Sequence, residues 1–361
     1  MDTEFLRERT YFAKLCLVQL AVPGDGPEDA VLVDPLVEGL DLAPLWDLMA
    51  HEGTCKVFHA ARQDLEIFWT EGHVIPAPLF DTQVAAMVCG FGEQVGYETL
   101  VRRVAKGSVD KSSRFTDWSR RPLTDQQKRY ALADVTHLRV IYEALRDQLE
   151  ANGRTAWMEE ELAVLRDPAT YEVQPDEAWR RLKMRNPTPR FTAVAKELAA
   201  FRETHAQTKD VPRSRVFKDD ALLELASNKP RDEADLAKSR LLLREGRRGE
   251  VAAGILAAVE RAMALPNDAL PKPPKPRSRD QINAALADLL RVLLKAKAEE
   301  SGVAQKLIAT ASDLDDIASG VHDGDWNRGW RREVFGADAM RLVEGRIALA
   351  CEGSSVRVVE L

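Results

Sequence analysis

The period of the hydrophobic pattern changes partway along this chain, and that change restricts the folds open to it. Residues 15–22 and 31–34 have the apolar make-up of strands, separated by a Pro-Gly-Asp-Gly turn at 23–26. Residues 44–51 read as a short helix, 55–59 as another strand, and 64–71 as a helix with Leu65 and Phe68 on one face. Strands and helices in alternation imply an α/β layer arrangement. Beyond residue 190 the chain is rich in Ala, Leu, Glu and Arg at helical spacing, with little strand character. The expected architecture is therefore an α/β domain followed by all-helical modules.

The punctuation of the sequence agrees. Thr124 followed by Gln127, just after Pro122, forms a capping box that opens a helix running to about residue 145. Residues 166–175 are polar and contain two prolines, which suits a connector. Residues 267–280 place prolines at 271, 273, 274 and 276 among Lys and Arg, a stiff, extended linker between two helical modules. A chain of 361 residues, 45% apolar, suits two or three domains with real cores. Its four cysteines are scattered without a Cys-x-x-Cys pair, which argues against a disulfide framework or zinc ribbon and fits a reducing cytoplasm. No apolar run is long enough to span a membrane, and no secretory leader is evident.

The chemistry begins at the start of the chain. In an extended segment, Asp2 and Glu4 project to one face and offer the hard oxygen ligands that Mg²⁺ or Mn²⁺ prefer. Asp64, in His-Ala-Ala-Arg-Gln-Asp-Leu-Glu, and Asp134, in Tyr-Ala-Leu-Ala-Asp, supply two more carboxylates. Tyr130 and Asp134 stand four residues apart on the capped helix and share a face, so the phenol can hold a water beside a ligating carboxylate. Between Arg102 and Arg129 there are nine Lys and Arg against three Asp. Despite the net charge of −7, such a belt suits a phosphate backbone, or equally a solvated surface. Asp81 reads as a helix cap rather than a ligand, and His59 and His137 as structural histidines. Arg7, Arg9 and Tyr11 either touch substrate phosphate or pair with nearby acids.

These segments carry a resemblance. The runs from Asp2 to Tyr11, from His59 to Phe68, and through Asp110-Lys-Ser112, Thr116-Asp-Trp118 and Arg121-Pro-Leu-Thr124 to Asp134 resemble the three exonuclease motifs of the ribonuclease D family. The match runs almost continuously from residue 1 to about 150. It implies a ribonuclease H-like fold of the DEDD superfamily and 3′→5′ hydrolysis releasing nucleoside 5′-monophosphates. Asp2, Glu4, Asp64 and Asp134 would hold two divalent cations, Mg²⁺ or Mn²⁺, with Tyr130 orienting the water. Arg129 stands where the histidine branch of the superfamily has its His, so Tyr130 marks the tyrosine branch. Residues 191–266 resemble an HRDC domain, a small nucleic-acid-binding helical bundle, and 281–361 would be a second, divergent copy.

The implied arrangement is an exonuclease domain over 1–165, a connector over 166–190, and the two helical domains on either side of the 267–280 linker. The implied partner is RNA, in particular tRNA precursors with single-stranded 3′ ends. The enzyme would be a cytoplasmic monomer with no protein partner. Two rival readings stand beside this one: a DNA-directed exonuclease of the same superfamily, and an RNA-binding protein with an impaired exonuclease. The second rival arises because family members carry about one more strand-and-helix segment before the first motif, so the strand bearing Asp2 and Glu4 is expected to be truncated.

Overall fold

The computed structural model of the chain describes residues 1–24, 29–109, 116–271 and 283–361. Part of the expected 23–26 turn, the Asp110-Lys-Ser112 run and prolines 273, 274 and 276 of the linker lie outside the described residues. The chain forms two compact units: Met1–Glu4 with Leu17–Thr170 and Ser278–Leu361, and Phe5–Cys16 with Tyr171–Arg277.

In the first unit, strands and helices alternate as their sequence pattern requires. Strands β1 (Asp2–Leu6), β2 (Lys14–Ala21) and β3 (Ala30–Val33) lie side by side in that order, with β2 and β3 antiparallel. Helix α1 (Ala43–Ala50) leads to β4 (Lys56–Phe58), α2 (Arg62–Gly72) and β5 (Leu79–Asp81), and β5 runs parallel to β4. Helices α3 (Thr82–Val88), α4 (Tyr97–Leu100), α5 (Asp125–Thr136), α6 (Leu138–Ala151) and α7 (Thr155–Arg166) complete this part. Leu17, Met49, Phe58, Leu65 and Phe68 are fully buried in its core.

The helix expected from Thr124 to about residue 145 is broken. His137 ends α5 and begins α6, and only the start follows the sequence reading. That start is the full capping box: the Gln127 backbone amide donates to the Thr124 hydroxyl oxygen, and the Thr124 backbone amide donates to the Gln127 side-chain Oε1 at 2.9 Å.

The second unit holds α8 (Pro189–Thr208), α9 (Arg213–Val216), α10 (Asp219–Asn228), α11 (Glu233–Ala237) and α12 (Gly249–Ala264) around one apolar core. Its most buried charged groups are Glu203, with no exposed surface, and Arg202. Burial works against the Glu203 charge, but hydrogen bonds from Arg213 and Tyr11 outweigh it and hold the carboxyl below its ordinary range.

Past residue 283 the chain forms α13 (Ala284–Ser301), α14 (Gln305–Ile308), α15 (Ala311–Ala318), α16 (Gly329–Arg331) and α17 (Ala337–Val343). Contrary to the all-helical module expected from the sequence, it is not helical throughout. It ends in an antiparallel hairpin of β6 (Ile347–Glu352) and β7 (Ser355–Glu360), turned at Gly353 with φ +62°. This segment packs against the α/β part. Arg154 donates to the Val88 carbonyl at 3.1 Å and to that of Ser301, and Trp157 stacks on Trp330 with centroids 4.7 Å apart. Gly90 is needed there, because a Cβ would lie 2.3 Å from the Gly302 carbonyl oxygen. No described helix is long and apolar enough to cross a membrane, and none of the four cysteines forms a disulfide.

Thr124→Ala removes the cap of the helix bearing Tyr130 and Asp134. It should lower stability by about 1 kcal/mol in urea titration. An unchanged midpoint would show that tertiary packing alone holds that helix end.

Candidate metal centre

The pleat of β1 alternates as the sequence implies: Thr3 is buried, while Asp2 and Glu4 stand together on the other face. Asp134, two turns into α5, meets them. One carboxylate oxygen each from Asp2, Glu4 and Asp134 lies within 4.8 Å of the other two. Asp64 is not in this trio. It sits in the first turn of α2, 6% exposed, where its carboxylate accepts a hydrogen bond from the Thr3 hydroxyl.

The loop into α2 is fixed by Asp81. Its carboxylate accepts from the amides of Ala60 and Ala61 at 3.0 and 2.8 Å, and from those of Gln83 and Val84 at the start of α3. Asp81 is thus fully used as a cap, as its sequence position suggested. His59 is held by Thr82 at 2.9 Å and its ring lies 5.6 Å from that of Tyr97, while burial lowers its pKa.

Electrostatics set the character of the site. Burial first, then repulsion from Asp134, raises Asp2 to about 7. Burial, then Asp2, Asp134 and Asp64, raises Glu4 to about 9. Asp64 is likewise pushed well up by burial and by Asp2. Carboxylates this crowded and this dry hold protons unless a cation replaces them. A hard divalent ion fits the all-oxygen donor set.

Tyr130 lines the same cleft, a space of about 370 Å³ that also exposes Asp2, Asp134, His59 and Tyr97. Burial, Asp134 and Glu4 raise the phenol, which is hydrogen-bonded to Asp134, so it keeps its proton at neutral pH. Trp118 packs on Tyr130 with centroids 5.9 Å apart, and is 2% exposed. No role was read for Trp118 in the sequence, although it stands in the Thr116-Asp-Trp118 run that carries part of the family resemblance. Tyr97 escaped notice altogether, because a lone aromatic opening a short helix has no distinguishing pattern.

Several other expectations take a definite place. Arg121 grips Asp34 with two bonds, at 2.5 and 2.6 Å, and lowers the Asp34 carboxyl. His137 is half-buried at the α5–α6 break. Tyr11 pairs with an acid, Glu203, in the second unit. Lys111 and Arg114 of the basic belt lie outside the described residues.

Residues 1–150 match a family described as 3′-5′ exonuclease, and residues 191–259 match the HRDC domain. Ribonuclease D of Jannaschia sp. (strain CCS1) is 65% identical over 361 residues, spanning 100% of this chain and 94% of that protein. Ribonuclease D of Granulibacter bethesdensis is 48% identical, over 99% of this chain and 90% of that protein. The crystal structure of Escherichia coli RNase D, described as an exoribonuclease involved in structured RNA processing, superposes with a TM-score of 0.80. It is 30% identical and covers 95% of this chain and 92% of that one.

Without metal, the raised carboxylates take up protons on folding, so stability is lost as pH rises from the ordinary carboxylate range through about 7 and about 9. Mn²⁺ should therefore raise the thermal midpoint more at pH 9 than at pH 6. It should do so much less in Glu4→Gln. Equal shifts at the two pH values would remove these carboxyls from the binding site.

Proposed function

The chain belongs to the ribonuclease D family of 3′→5′ exoribonucleases, and we propose that Asp2, Glu4, Asp64 and Asp134 hold two divalent cations, Mg²⁺ or Mn²⁺, with Tyr130 orienting the attacking water. The observation that carries this reading is the meeting of Asp2, Glu4 and Asp134 around one point, with the Tyr130 phenol bonded to Asp134. The trio would take one ion, and Asp64 together with Asp2 the other.

When bound, two such ions lower the pKa of the water and stabilise the leaving 3′ oxygen. The protein positions the rest. Tyr130, kept protonated by burial and its acidic neighbours, acts as a hydrogen-bonding group and not as a base. Trp118 fixes its ring, and Thr3 and Asp81 hold the Asp64 segment in place. The products are nucleoside 5′-monophosphates. That β1 forms and brings Asp2 and Glu4 together with Asp134 favours the active enzyme over the impaired RNA-binding reading.

The substrate we assign is a tRNA precursor with a single-stranded 3′ end, on the strength of the family. The helical segments would grip its folded part. The segment from residue 283 reads as a second, divergent HRDC-like copy, and a repeated backbone supports this. Asp210 (φ +48°) and Gly302 (φ +63°) each end a long helix, α8 and α13. Four-residue helices follow in both copies, then extended residues, Phe217 and Ala309. Later a short 3₁₀ turn, an extended arginine and a positive-φ glycine recur as Arg248-Gly249 and Arg328-Gly329, each opening a helix.

Asp134→Ala should abolish metal-dependent release of mononucleotides, and near-normal turnover would sink the two-metal assignment. Tyr130→Phe should leave Mn²⁺ binding intact while slowing hydrolysis about 10²-fold, the scale of a misplaced reactant. Competing 3′-tailed RNA and DNA strands test the sugar preference: loss of the 2′-hydroxyls should reduce turnover, and equal rates would favour a DNA-directed enzyme.

A further inference from the structure

The second unit contains a recess of about 630 Å³ that the exonuclease chemistry does not use. Arg181, Arg202, Arg213 and Lys218 from the helical segment line it, together with Arg7 and Tyr11 from the chain just after β1. Glu203 lies behind it, bonded to Tyr11, Arg181 and Arg213. Asp219, also on the wall, pairs with Arg202 at 2.7 Å. With Asp220 counted, five cations face three carboxylates.

Two observations mark this as more than a set of internal ion pairs. Arg202 is 2% exposed, yet its Nε–H has no acceptor in the protein, and a buried donor left unpaired is costly. The cations also crowd one another: burial, then Arg213, depresses the Arg181 pKa, and Arg202 adds to the effect. Both strains are relieved by an anion with several acceptor oxygens. Guanidinium groups suit a phosphate diester in this role, since their forked donors match its geometry.

We propose that this recess is a phosphate subsite for the RNA backbone, occupied by a phosphate other than the scissile one, which a dinucleotide with its single phosphodiester does not possess. The proposal rests on the exoribonuclease reading above and assigns part of that enzyme's grip on its substrate. Arg7 and Tyr11 come from the chain that continues the ligand-bearing strand, so the subsite is built jointly by that segment and the helical bundle. Its contribution is to affinity and salt sensitivity, because a phosphate contact fixes register without reading sequence.

The test compares the full-length protein with R7A/K218A, whose two side chains are exposed and should leave the melting curve unchanged. Hydrolysis of a single-stranded 20-nucleotide RNA and of a dinucleotide is measured with Mg²⁺ across a salt series. The variant should show a several-fold higher KM on the long RNA, an unchanged kcat, and a log KM against log salt slope shallower by about one unit per lost contact. The dinucleotide should be cleaved as by the parent protein. An unchanged KM and salt slope on the long RNA overturns the proposal. So does a result in which inorganic phosphate raises the thermal midpoint of the parent alone while the RNA KM stays the same, since the recess would then serve a free anion. Failure of the metal-centre reading would appear separately, as dinucleotide hydrolysis that persists after chelation of Mg²⁺.

Discussion

Repulsion among crowded, half-buried carboxylates is the constraint around which this structure is arranged. Asp2, Glu4 and Asp134 stand so close together, with so much of their hydration removed, that all three are not charged together without a cation. Holding them there requires rigid support from several directions. The pleat of β1 sets the spacing of Asp2 and Glu4, the capping box at Thr124 fixes the helix that brings Asp134, and Asp81 ties the loop into α2 to the start of α3 by accepting hydrogen bonds from two backbone amides of each. Each support is a local, strongly determined motif. The instability at the centre is thus balanced by determinacy at its edges, a common trade at functional sites.

Much of this was legible in the residues. Alternation on an extended strand places Asp2 and Glu4 together whatever lies around them, and the four-residue spacing of Tyr130 and Asp134 holds in any helix. The Asp81 cap was also readable, since its carboxylate accepts from the Gln83 and Val84 amides two and three residues on, whereas its bonds to Ala60 and Ala61 were not. What escaped was decided by tertiary contacts. Asp64 lies in the first turn of α2, but its orientation is set by Thr3, 61 positions earlier in the chain. The break at His137 lies inside a continuous helical pattern, with Gly107 close against the imidazole; a Cβ there would come within 2.8 Å of it.

The terminal hairpin was missed for another reason. Residues 347–352 and 355–360 have alternating character, but they follow a long helical stretch and were absorbed into it. In the fold, the hairpin and α13–α17 share a core that includes Trp326 and Trp330, and Trp330 also meets Trp157 of α7. Arg331 pairs with Glu161 on the same helix at 2.6 Å. Such long-range partners leave no local trace in the sequence. The neighbourhood of α7 therefore explains why this segment clusters with the α/β part despite the proline-bearing stretch between them.

The division of the chain within β1 bears on its modularity. Met1–Glu4 belongs to one compact unit and Phe5–Cys16 to the other, so a single strand serves both. The Tyr11 and Phe12 amides donate to Asp210, each at 3.0 Å, and the Tyr11 phenol bonds to Glu203. Severing the chain anywhere between the two matched family segments would strip those partners from the segment that continues the strand carrying Asp2 and Glu4. The helical bundle is thus not an accessory that evolution or an experimenter can exchange by a cut at one linker. Any recombination that replaces it must also supply a new seat for residues 5–16.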